Sequence, residues 1–435
     1  MKNYRVLVPI VMVVLMGLSW YMMIDEAVEA TNVYDGYVQE ARRYAEEGIT
    51  KYAIENYRLA LAEESSPELY REVAEYYKEK GPKNTYIDWC EEFLEVYPTD
   101  INAYECLVEA YISDKDYDDC YDILETAEKR QITSEALEQM KLDIEYIYEI
   151  EFSSFDEIGV YGYGLCPVKT KDSWGYVDRF GTLWIGYKFN KVGVFSSEAV
   201  APVVGRDGEA YFIDDNGVKE KVSKEKYLSF GLMSADRCVA VTEDGTYCYV
   251  DAALTKLFGN YDFATTINLG RAAVKIGEQW SLINENGEEV TSDKYVDVKC
   301  DEKSICYRSG RLFAAKEEGK YMMLDDSGKQ VGKLVFEDAK VFLGDMPAAV
   351  KIGGKWCFVD ANGERISDKT YEDARSFSNE LAAVKINGKW GFIDLEENVV
   401  IEPQFVDASD FNNKGSCFIK QDTKWQLLKL YRLNR

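Results

Sequence analysis

Carboxylates are the side chains of this sequence with the most chemistry to offer, 78 Asp and Glu against 51 Lys and Arg, and there is no histidine. The missing imidazole removes the commonest general base and a common zinc ligand together. Three chemistries are left to weigh: acids such as Asp214-Asp215 holding calcium, two carboxylates hydrolysing a glycosidic bond, and the ten cysteines ligating metal or forming disulfides. Around Asp214 the alternating ligands and terminal Glu of an EF-hand loop are absent, so its carboxylate reads as a turn cap. No pair among the other acids is singled out by position. The cysteines contain no Cys-x-x-Cys; Cys300 and Cys306 are the closest two and could close a local disulfide, while Cys238, Cys248 and Cys417 read as small buried hydrophobes. A Gly-x-Ser-x-Gly elbow, a phosphate loop and a dinucleotide fingerprint are all missing. A binding protein is expected, with no catalytic residue, cofactor or metal; a carboxylate-dependent hydrolase is the rival from another class.

The elements that must carry these side chains are announced by a repeat. Leu381-Ala-Ala-Val-Lys-Ile-Asn-Gly-Lys-Trp-Gly-Phe-Ile-Asp394 has weaker copies at Pro347–Asp360, Arg271–Asn284 and Ser173–Asp178. Each copy reads as two short strands, with Asn387-Gly388 as the hairpin turn between them. An Asp or Asn ends each copy, at Asp178, Asp214, Asp251, Asn284, Asp325, Asp360 and Asp394, roughly 35 residues apart, and Trp425 marks an eighth copy without the acid. Most of these residues open a turn that closes on Gly, as in Asp360-Ala-Asn-Gly363. The signature residues are Trp174, Gly175, Trp280, Trp356, Trp390, Gly391 and Trp425. Their expected role is mainly packing: the Trp supplies buried area and the Gly lets a neighbouring backbone approach. The sharper alternative is a stacking surface for sugars or bases.

A further strand ends in an aromatic, acids and Ala, as in Phe336-Glu-Asp-Ala339 and Tyr371-Glu-Asp-Ala374. The last unit lacks it, and Phe155-Asp-Glu-Ile158 precedes the first unit with nothing before it. Such a split unit favours a closed, β-propeller-like ring; an open β-solenoid is the alternative, since about 35 residues is short for a four-stranded blade. Lys389-Trp390-Gly391-Phe392-Ile393-Asp394, followed by Val400-Ile-Glu-Pro-Gln-Phe405, resembles the WG or KWG repeat of bacterial proteins. The resemblance covers about residues 151 to 430 and implies an extracytoplasmic or interaction role without shared catalytic residues.

Upstream, Lys2 and Arg5 precede an apolar run from Val6 to Met23, followed by Asp25, Glu26 and Glu29. About 18 residues at 1.5 Å rise reach about 27 Å, so residues 1–24 are expected to form a signal anchor, a single transmembrane helix with its N-terminus inside and the bulk of the chain extracytoplasmic. A cleaved signal peptide is the competing reading. Residues 32–150 show aromatic and Ala residues at helical spacing with Gly and Pro breaks. Ala53, Tyr57 and Ala60, then Trp89, Phe93 and Pro98, then Ala103, Leu107, Ala110 and Tyr111 resemble about three tetratricopeptide repeats, with Ser134 to Tyr148 as a capping helix. That resemblance implies a groove for peptides or partner helices; a plain spacer is the alternative. The expected fold class is therefore an α + β multidomain chain of transmembrane helix, tetratricopeptide-like array and, over 151–435, a WG-type β-repeat domain of about eight units.

A net charge of −27 argues against nucleic acid, which needs clustered Lys and Arg, and for basic partners. The expected function is a membrane-anchored scaffold or adaptor binding a protein or peptide partner, with a cell-wall glycan or peptide module as the alternative.

Overall fold

The computed structural model describes residues 33–433, and the chain divides into two compact units on either side of Glu145 and Tyr146. The first unit is helical: α1 over 33–46, α2 Thr50–Glu63, α3 Pro67–Lys80, α4 Lys83–Val96, α5 Ile101–Asp114, α6 Tyr117–Lys129 and α7 Glu135–Asp143. The breaks are chemical. Ser66 caps α3 by accepting from the Leu69 amide with Pro67 at the first turn, Asp100 caps α5 through Asn102, and Ser134 caps α7 through Leu137. The expected face is the buried one, with Tyr57, Tyr70, Trp89 and Phe93 inside and Tyr70 stacked on Phe93 at 5.4 Å. Cations tie one helix to another about one helix pair further on: Arg42 to Glu72, Arg58 to Glu92 and Lys78 to Glu109. Tyr148, expected at the end of a capping helix, lies instead in a strand, Tyr148–Phe155.

The second unit is built of strands, with one 3-10 turn at Tyr431–Leu433. In its most regular repeat, Asp373–Ala374 pairs with Ala382–Ile386, that strand with Lys389–Ile393, and that in turn with Val399–Phe405. Asn387 and Gly388, at φ 52° and 77°, make the tight turn that the dipeptide announces. The next turn is equally local: Asp360 Oδ1 accepts from the amides of Asn362 and Glu364, both at 2.9 Å, and Gly363 sits at φ 76°. Asp178, Asp214, Asp251, Asn284 and Asp325 make the same pair of bonds.

The strands assemble into small antiparallel sheets, mostly of three or four, with one of seven where two successive repeats join between Leu183–Val192 and Val200–Gly205. Eight apolar cores lie between successive repeats, one of them inside the seven-stranded sheet, and one, with Phe155, Cys166, Val168, Phe418 and Leu427, lies between the last sheet and the first. The segment Phe155–Ile158 is divided. Phe155 ends the strand that pairs with Lys424–Leu430 and stands opposite Trp425, as Phe405 stands opposite Trp390, while Glu157–Ile158 opens the first sheet.

Two expectations are corrected. The β-unit consists of separate small sheets and forms no closed barrel, because each repeat hydrogen-bonds mainly within itself and meets its neighbours through side-chain cores. Among the described residues no helix is long and apolar enough to cross a membrane: the longest are of 14 residues, about 21 Å, short of a hydrocarbon core. The fold class with a transmembrane helix, and the single-pass localisation that went with it, are not supported. The run Val6–Met23 lies outside the described residues.

Candidate functional site

The signature residues do not converge on one site. Trp280, Trp356 and Trp390 are buried in three different cores, whereas Trp174 and Trp425 are half-buried at the edges of two others. A Cβ on Gly175 would meet the Ile185 carbonyl at 2.5 Å, and one on Gly391 the Ile401 carbonyl at 2.5 Å. The glycine lets the strand that follows approach closely, although Cys248 at the equivalent position also takes a following strand, Lys256–Tyr261. Where Ser281, Met322 or Cys357 takes its place, the following segment pairs only through single bridges such as Trp280 with Tyr295, Tyr321 with Phe336 and Trp356 with Tyr371. In the second repeat Tyr211 holds the glycine position, and Ala210, opposite Val204, stands where Trp174 stands opposite Lys169.

A different set of residues does converge. In each of the eight repeats the residue just after the first strand donates its amide to the second strand, at 2.7–2.9 Å: Gly159, Gly193, Gly231, Thr265, Lys299, Lys340, Arg375 and Ser409. These equivalent positions are three glycines in succession on one side and three cations in succession on another. On the glycine side is a cavity of about 580 Å³ that Trp174, Trp425, Tyr247 and Phe263 also line. On the cationic side is one of about 380 Å³ lined by Lys299, Lys340 and Arg375. The cations there are paired: Lys299 with Asp338 at 3.0 Å, Lys340 with Asp373 at 3.7 Å, and Arg375 with Glu302 at 3.2 Å and Asp410 at 3.4 Å.

The loop Cys300–Ile305 runs into this space. Its Ser304 carbonyl accepts from the Thr266 amide at 2.7 Å, and Glu302 reaches Arg375 across 73 residues of sequence. Lys303 on this loop lines the glycine-side cavity and a second one of about 540 Å³. Burial, then the nearby Arg308, pushes its ammonium below the usual lysine range. Asp410 moves the other way: burial raises its carboxyl to about 6 against the pull of Arg375, and its Oδ1 has no hydrogen-bond partner. Such a centre can bind and orient a charged small molecule. Sequence reasoning missed it, although its signal is legible afterwards as the residue following Phe336-Glu-Asp-Ala339 and Tyr371-Glu-Asp-Ala374.

The Cys300–Cys306 disulfide that their closeness in sequence would allow is not formed, both thiols being free. Among the described residues no cluster of Cys, Asp and Glu is arranged to hold a metal ion.

Among curated proteins none matches the chain. Solved structures with some likeness include a selenomethionine-substituted virginiamycin B lyase from Staphylococcus aureus, at 11% identity and TM-score 0.35, covering 65% of this chain and 100% of that one. A streptogramin B lyase structure has 11% identity and TM-score 0.33, covering 66% and 98%. The Sgt2 TPR domain from Aspergillus fumigatus has 19% identity and TM-score 0.22, covering 25% and 75%. Likenesses at these scores carry no argument for this chain. The family of the WG containing repeat matches at residues 174–204, 321–356, 358–390 and 390–425. These stretches hold Trp174, Gly175, Trp356, Trp390, Gly391 and Trp425, and the chain is a WG-repeat-containing protein.

Proposed function

We propose that this protein is an adaptor, not an enzyme, in which the WG repeats form one interaction module and the helical unit recognises a basic protein segment. The observation that carries the reading is the charge of the helical unit. Between residues 33 and 145 there are 29 Asp and Glu and only 12 Lys and Arg, and several of those cations are spent in ties between helices. A concave patch on this unit is lined by Glu68, Glu72, Glu75 and Asp100, with Arg71 turned to Asn102. Surplus carboxylate along a stack of helices favours a basic partner through complementarity and faster encounter. A binding role is favoured over turnover because the recurring Asp and Asn side chains are engaged by turn amides.

Crosslinking of the full chain in living cells, with mass spectrometry to place each crosslink, tests this reading. A dominant partner is expected to crosslink to the helical unit through a Lys- or Arg-rich segment, and Glu68→Lys with Glu75→Lys should weaken its binding about tenfold, with a steep dependence on salt. Crosslinks spread over random neighbours, or a partner indifferent to both substitutions, would overturn it.

A further inference from the structure

The glycine-side cavity has the attributes of a small-molecule site that the packing of the repeats does not require. Its volume of about 580 Å³ falls within the range of ligand pockets. Three successive repeats contribute Gly159, Gly193 and Gly231 to its wall, where three others carry Lys299, Lys340 and Arg375; a Cβ on Gly159 or Gly193 would meet Pro167 or Pro202. Trp174 and Trp425, two signature tryptophans of this unit that are not fully buried, both line this opening. Two cations, Lys303 and Arg375, face one carboxylate, Glu302, in its wall, within a chain of net charge −27. Arg375 is engaged by Glu302 and Asp410. Lys303 is different: it is half-buried, and among the described residues none makes a hydrogen bond or ion pair with its ammonium, although Asp301 and Glu302 act on it from nearby.

A half-buried ammonium that no carboxylate reaches directly gains from an anion that does. Trp174 and Trp425 in the lining, each with a lysine, Lys169 or Lys420, over its ring, offer an apolar, ring-sized body aromatic surface to pack on. We propose that this cavity binds a small organic carboxylate with an aromatic or similarly flat apolar body, its carboxylate accepting hydrogen bonds from Lys303 and its body lying against Trp174 and Trp425. The site stands apart from partner recognition by the helical unit and does not depend on it. Glu302, held by Arg375, leaves Lys303 as the group that reads the ligand's charge.

Ligand-observed NMR on the full chain, with 3-phenylpropionate and its neutral amide as probes, tests the proposal. The acid is expected to bind saturably at pH 7 and the amide about tenfold more weakly or not at all. Lys303→Met should lose the acid by a similar factor while Lys303→Arg retains it, with thermal midpoints unchanged. Equal binding of acid and amide, absence of saturation by the acid, or undiminished binding by Lys303→Met would overturn it. The comparison of acid with amide is made on the unaltered protein, so it decides the matter even where a variant fails to fold.

Discussion

Gly391 shows how a single residue type records a contact with the neighbouring strand of its own repeat. The Ile401 carbonyl and Pro403 nitrogen stand 2.5 and 2.7 Å from where a Cβ would be, and both are backbone atoms that cannot swing away. Gly391→Ala is therefore expected to lower stability by about 2 kcal/mol through overpacking, read as a drop in the denaturant midpoint at constant slope. Asp410 makes a prediction of another kind. With a folded carboxyl at about 6 and an unfolded one near 4, the native state binds more protons across that window. Stability of the β-unit should accordingly fall as pH rises from about 4 to 6, by roughly 3 kcal/mol, and level off above. Asp410→Asn should flatten that part of the pH profile; an unchanged profile would place the proton elsewhere.

At the scale of elements, the strand Tyr148–Phe155 matters more than its place in the chain suggests. It pairs with Lys424–Leu430, and Phe155 sets the edge of an aromatic contact with Phe418 at 5.9 Å in the core shared by the first and last sheets. Removing residues 146–155 would leave Lys424–Leu430 as an unpaired edge and open that core. The expected outcome is loss of the single cooperative thermal transition of the β-unit, followed by circular dichroism and calorimetry. A chain that merely melted a few degrees lower would show that the cores between other sheets suffice.

For the molecule as a whole, charge and thiols set the conditions under which it works. Of the ten cysteines, all free, nine are buried and Cys300 is exposed. Burial holds the thiols of Cys106 and Cys306 up at about 12, so they stay protonated and inert in the folded protein. A thiol reagent should therefore titrate one group in the native protein and ten in denaturant. Fewer than ten under denaturant would reveal disulfides. The surplus of carboxylates on the helical unit makes solubility and partner binding sensitive to ionic strength, which separates electrostatic recognition from apolar docking.

Sequence by itself determined what depends on neighbours along the chain. Alternating Ala-Ala-Val-Lys-Ile, the Asn387-Gly388 turn and the recurring Asp-x-x-Gly turns are short-range, so strands, turns and the repeat period were legible, as were the capped helices between residues 50 and 143. Only the tertiary structure decided what depends on residues far apart. It divided Phe155 from Glu157–Ile158 between the last and first sheets, placed Ala210 at the position that Trp174 holds in the first repeat, and set the Ile401 carbonyl against Gly391. It also gathered three glycines and the loop of Lys303 around one cavity and three cations around another, groupings that no local pattern encodes because different repeats contribute to each.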